Sequence, residues 1–101
     1  MVDIDVLRNM AGINEDELDD VALQALIDEA RDLILTYTNR NEGEWLPIFD
    51  GVQSLIARKV FNQLGAEGLS AKSEGAVSAS FDSLQGDILP ALNMFRAARA
   101  L

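Results

Sequence analysis

Carboxylates are the commonest reactive groups in this chain. Seventeen Asp and Glu stand among 101 residues, in tight sets at Asp3/Asp5, Glu15/Asp16/Glu17, Asp19/Asp20 and Asp28/Glu29. Paired carboxylates can act as general acid and base or hold a divalent cation. At this density, however, pairs on a helix face follow from composition, and a solvated face is the simpler reading. Carboxylate-rich di-metal bundles add histidine in a Glu-x-x-His pattern, and the chain has neither histidine nor cysteine. Those two absences remove Ser–His and Cys–His pairs, zinc proteases, thiol nucleophiles, zinc knuckles and iron–sulfur sites. The Asp-x-Asp/Asn-x-Asp/Asn-Gly calcium loop does not occur. The glycines at 65, 68 and 75 do not build a Gly-x-x-x-x-Gly-Lys-Ser/Thr phosphate loop, since Lys72 does not directly follow a glycine. Ser70, Ser73 and Ser80 have no base set beside them. We therefore expect no catalytic residue, no cofactor and no metal, in a protein that is not an enzyme.

The length fits one domain over residues 1–101, large enough to fold around a core without disulfides. Apolar residues make up 49% and charged residues 25%, both ordinary for a globular chain. The net charge is −9, the wrong sign for gripping phosphates or an anionic membrane. A DNA-reading helix would need a basic face, and only Arg58/Lys59 and Arg96/Arg99 offer one. The charge is lopsided: residues 1–44 hold twelve acids against three basic residues, while residues 45–101 hold five of each. Two differently charged surfaces are the expected result. No apolar run approaches the roughly 20 residues of a membrane span, and the first residues lack the pattern of a signal peptide. A cytosol-like compartment is expected.

The elements that must position these groups read as helices. Residues 3–11 form a short one, with Ile4, Leu7 and Met10 or Ala11 on one stripe and Gly12 as the stop. Residues 14–39 carry the strongest pattern. Asn14 and Glu17 have capping-box spacing, and Ile13 and Leu18 that of a hydrophobic staple. Two overlapping apolar stripes follow, Leu18, Val21, Ala22 and Ala25, then Leu23, Leu26, Ile27, Ala30, Ile34 and Tyr37. So wide an arc predicts more than one packing neighbour. Asp20, Gln24, Asp28, Arg31 and Asp32 make the wet face. Pro47 opens a second long helix, with Val52, Leu55, Ile56, Val60 and Leu64 toward the core and Gly65 at its end. A last helix over 88–101 starts from Asp87. The expected fold class is all-α: a small bundle of two long antiparallel helices with short N- and C-terminal helices.

Residues 65–87 break this rhythm with glycines at 65, 68, 75 and 86 and five serines. Val77, Ala79 and Phe81 alternate with Ser78 and Ser80, a period of two. We expect a weakly strand-like segment inside a long extended loop, the kind of edge that pairs with another chain. Trp45, in the turn between the long helices, either closes that corner as a half-buried ring or anchors an interface.

The stretch GAEGLSAKSEGAVSASF at 65–81 resembles the loop of tailed-phage head–tail connector (adaptor, or head-completion) proteins. The surrounding order is similar to that family too. An acid-rich helix ends in Tyr37, Thr38, Asn39 and Arg40. A Leu-Pro turn follows at Leu46 and Pro47, then a second long helix, the glycine–serine loop, and a last helix after Asp87, Ile88, Leu89 and Pro90. Ile48 and Phe49 depart from it, since members usually carry acidic or small polar residues after the Leu-Pro.

The resemblance implies a non-catalytic subunit of the virion, assembled in the host cytoplasm into a homo-oligomeric ring, a dodecamer. The ring would lie under the portal protein, extend the channel for passing double-stranded DNA without reading its sequence, and meet a head-closure or tail-completion protein below. Contacts with the portal or the next copy would fall on Glu67, Leu69, Ser70, Ser73, Glu74, Val77, Ser78, Ser80, Phe81, Phe95, Arg96 and Arg99. Glu17, Asp20, Asp28 and Asp32 either face the channel, where an acidic wall repels phosphate, or solubilise the outer surface. The rival class is a free acidic adaptor or DNA-mimic inhibitor. It fits the charge equally well and the long patterned loop poorly.

Overall fold

The computed structural model describes residues 2–14, 16, 18–71, 75, 77 and 84–96, with backbone alone over 66–71. Helix α1 spans Ile4–Ala11. The Asp3 carboxylate accepts from the Val6 N–H at 2.8 Å and caps its start. Gly12 ends it at φ 71°, a left-handed turn open to a residue without Cβ. Leu7 and Ala11 are buried, while Met10 stays half exposed, so the inward stripe runs through Ala11.

Helix α2 spans Asp20–Thr38. It starts five residues later than the Asn14 cap predicts, because Asp19 takes the capping role and accepts from Ala22 N–H at 2.8 Å. Arg8 explains the delay. Its guanidinium donates to the carbonyls of Ile13 and Leu18 and to the Asp20 carboxylate. Those bonds tie Ile13 and Leu18 to α1. Ile13 and Leu18 are both buried. The inward face of α2 carries Leu23, Leu26, Ile27, Ala30 and Ile34. It packs on α1 and on the helices that follow at Ile48–Ala71 and Ile88–Leu92, as its wide apolar arc requires.

Helix α3 spans Ile48–Ala71, interrupted at Gly65, whose φ of 72° and ψ of 173° lie outside any helix. Its inward face is Phe49, Gln53, Ile56, Ala57 and Val60. Of the expected core stripe, Ile56 and Val60 are buried and Val52 and Leu64 pack against the core half-buried, but Leu55 is 58% exposed. Gln53, fully buried, accepts from the Val2 N–H at 3.1 Å and donates to the Ile27 carbonyl at 2.9 Å. It joins the N-terminus, α2 and α3.

The long extended loop expected over 65–87 is corrected in its described parts. The backbone is helical from 66 to 71, Val77 lies in a helical turn, and no strand occurs among the described residues. Gly65 therefore turns the chain without ending its helicity, since Ala66, Glu67, Leu69 and Ala71 all suit a helix. Val77 does not sit on an edge; it is 2% exposed and part of the main core. Burying an apolar side chain of this size stabilises by about 1.5–3 kcal/mol, more than an exposed position returns. Ala79 and Phe81 lie outside the described residues.

Helix α4 is also shorter than predicted. It spans Ile88–Leu92 and tightens into a 3-10 turn over Asn93–Phe95. Arg40 donates from Nε to the Phe95 carbonyl at 2.9 Å, and Arg96 is already extended. One core joins α1, α2, α3 and α4, with Phe49 at its aromatic end between Trp45 and Phe95.

Candidate functional site

No three His, Cys, Asp or Glu among the described residues stand close enough to hold a metal ion. What the fold offers is surface. The inward faces of α2 and α3 meet across the core, linked by the bond from Gln53 to Ile27. Their outward faces are separate surfaces.

The outer face of α2 is acidic. Asp20, Val21, Gln24, Asp28 and Asp32 lie along it, and Val21 is 79% exposed. Gln24 donates to the Asp28 carboxylate at 2.9 Å. Arg31 stands 3.1 Å from Asp32 and 3.8 Å from both Asp28 and Glu42. One guanidinium thus faces three carboxylates, and the patch stays net negative.

The outer face of α3 is apolar where it meets α4. Val52 and Leu55 line a groove of about 470 Å³ with Ile88 and Ala91. Arg58 and Lys59 also line it. Lys59 bridges to Asp87, with Nζ 2.6 and 2.7 Å from the two carboxylate oxygens. That hydrogen bond and charge hold the Asp87 carboxyl below its ordinary value, while Asp87 also accepts from Ile88 N–H at the start of α4. Arg58 donates to the Ala11 carbonyl at 2.9 Å and has no carboxylate partner among the described residues. Ile48, one turn before Val52, is 53% exposed and continues the apolar stripe.

Trp45 closes the corner between α2 and α3. Its ring packs edge-on to Phe49 at 5.3 Å, and its indole N–H donates to Asp50 at 2.9 Å. Burial alone would raise the Asp50 carboxyl. The indole bond and nearby positive charge outweigh it, and the group titrates below its ordinary value.

The residues expected to make contacts are scattered. Asp20, Asp28 and Asp32 share the outer face of α2, and Asp20 is bonded to Arg8. Glu67, Leu69 and Ser70 lie on helical backbone beyond Gly65. Val77 is in the core. Phe95 packs edge-on to Phe49 at 5.9 Å, and Arg96 is exposed. Glu17, Ser73, Glu74, Ser78, Ser80, Phe81 and Arg99 lie outside the described residues. Sequence reasoning missed the groove because it assigns Leu55 inward. The signal for it was the stripe of Ile48, Val52 and Leu55 beside the core-facing Phe49, Ile56 and Val60. Glu29 was also missed: one carboxylate oxygen holds the Gly75 N–H, and the other is buried without a hydrogen bond.

No described helix is long and apolar enough to cross a membrane. No curated protein and no solved structure matches the chain. The profile of the phage gp6-like head-tail connector protein family matches residues 1–96, almost the whole of the chain. The chain therefore belongs to that family, whose members are structural components of the phage virion where head meets tail.

Proposed function

We propose that copies of this connector close into a ring, a dodecamer, which seats on the portal protein and continues the DNA channel toward a head-closure or tail-completion protein. Family membership over residues 1–96 carries this reading. Two unlike outer faces support it, since a closed ring needs one surface of each copy to meet a different surface of the next. Assembly takes place in the host cytoplasm and the product stays in the virion. Double-stranded DNA passes without sequence-specific contact, kept from sticking by an acidic rim to which Asp20 contributes. Residues Glu67 to Phe81 other than Val77, together with Arg96 and Arg99, supply contacts with the portal or the next copy. No step of this role needs a reaction.

The experiment is removal of the chain from an otherwise complete phage, followed by electron microscopy of the products. Heads that lack tails or lose DNA, rescued by supplying the chain in trans, are expected, with a ring of it at the vertex of rescued particles. Normal tailed, infectious particles without the chain overturn the reading. A monomer found instead on a DNA-binding protein of the host would identify an acidic mimic.

A further inference from the structure

We propose that the groove between α3 and α4 is the socket for the acidic outer face of α2 on the next copy. The inference rests on the ring reading above and names the two surfaces that make the ring.

Three observations carry it. First, the groove has an open apolar floor: Leu55 is 58% exposed, Val52 is half-buried, and Ile48, 53% exposed, extends the stripe. An exposed apolar patch of this kind on a small chain marks a contact site. Second, the charges match. The groove carries Arg58, which no described carboxylate pairs, beside Lys59 and Asp87, which pair with each other, so its lining stays net positive. The α2 face carries Asp28 and Asp32 with a single Arg31 between them, and the exposed Val21 two turns before Asp28. Arginine beside an apolar floor, met by carboxylates, is the usual composition of an interface. Third, socket and acidic face are different patches of the surface, one on α3 and α4 and the other on α2. Their union is head-to-tail and repeats around an axis, whereas a groove meeting its own copy would stop at a dimer. Asp28 and Asp32 are thereby assigned to the neighbouring copy and not to the channel wall.

The chain has no cysteine, which makes the test clean. Leu55→Cys and Val21→Cys are made singly; both side chains are mostly exposed, so neither variant disturbs the core. The two are mixed and oxidised, in concentrated solution and in connectors extracted from particles. A cross-linked pair holding one of each variant is expected, with little linkage of either variant alone. Linkage of Leu55→Cys to itself, linkage of it to the portal, or no mixed pair in either setting overturns the proposal. As a second readout, Leu55→Glu should keep full helicity and weaken self-association in sedimentation by about tenfold or more, since it sets a carboxylate against the acidic face of the next copy and competes for Arg58. Unchanged association overturns the proposal as well. The outcomes separate it from the connector role. Particles that contain the chain but yield no mixed link remove this interface and keep the connector. A mixed link in a chain that never enters particles keeps the interface and removes the connector.

Discussion

Gly65 and Gly51 make a matched pair within α3, and alanine at the two should change stability in opposite directions. Gly51 lies in regular helix, and a Cβ there meets nothing within 4 Å. Alanine at 51 therefore gains helix propensity and costs no space, a stabilisation of about 0.5–1 kcal/mol. A Cβ at Gly65 also meets nothing within 4 Å, so sterics with neighbours are equal at the two sites. The difference is the backbone. At φ 72° and ψ 173° a residue with a Cβ pays a strain of about 1–3 kcal/mol. Restricting the unfolded chain returns about 0.4–1 kcal/mol. The net loss of about 1–2 kcal/mol lowers the melting temperature by roughly 5–15 °C in a domain of this size. Thermal unfolding followed by circular dichroism at 222 nm reads both variants. If Gly65→Ala melts higher than the parent and gains helical signal, α3 runs straight through residue 65 in solution. The redirected segment described above would then be refuted.

Gln53→Leu keeps much of the volume but leaves the buried Val2 N–H without its acceptor and the Ile27 carbonyl without its extra donor. A loss of about 2–3 kcal/mol is expected from the urea midpoint, and a loss below about 0.5 kcal/mol would show that neither bond matters. Folding lowers the Asp87 pKa below 3.8, chiefly through Lys59. The pair therefore stabilises above that unfolded value and ceases to as pH falls through the folded one. Asp87→Asn keeps a capping side chain, so the stability gap between parent and variant should stay constant above about pH 5 and shrink only as pH falls below 3.8 and through the folded value. A gap that does not change with pH contradicts this.

The helices were legible because their signals are local. Asp3, Gly12, Pro47 and Asp87 stand where their chemistry acts, and Ile13 and Leu18 are buried as their staple spacing implied. What escaped depends on distant partners. Several acids before α2 are able to cap it, and Arg8, arriving from α1, decides for Asp19. The last helix stops early where Arg40, more than fifty residues away in sequence, takes the Phe95 carbonyl. Glycine and serine at 65–75 read as coil, yet Gly65 is a joint between two helical stretches. The groove was invisible for a related reason. Leu55 and Val52 have the spacing of a core stripe, and only the placement of Ile88 and Ala91 shows that they line an outer surface.

Val77 sets a threshold on anything that would pull its segment outward. The side chain is 2% exposed, so withdrawing it into water costs about 1.5–3 kcal/mol before any new contact forms. A ligand that required such withdrawal would bind roughly tenfold to a hundredfold more weakly than its contacts alone provide. Copies that dock with Val77 left in place escape that penalty and reach one another already in their final shape.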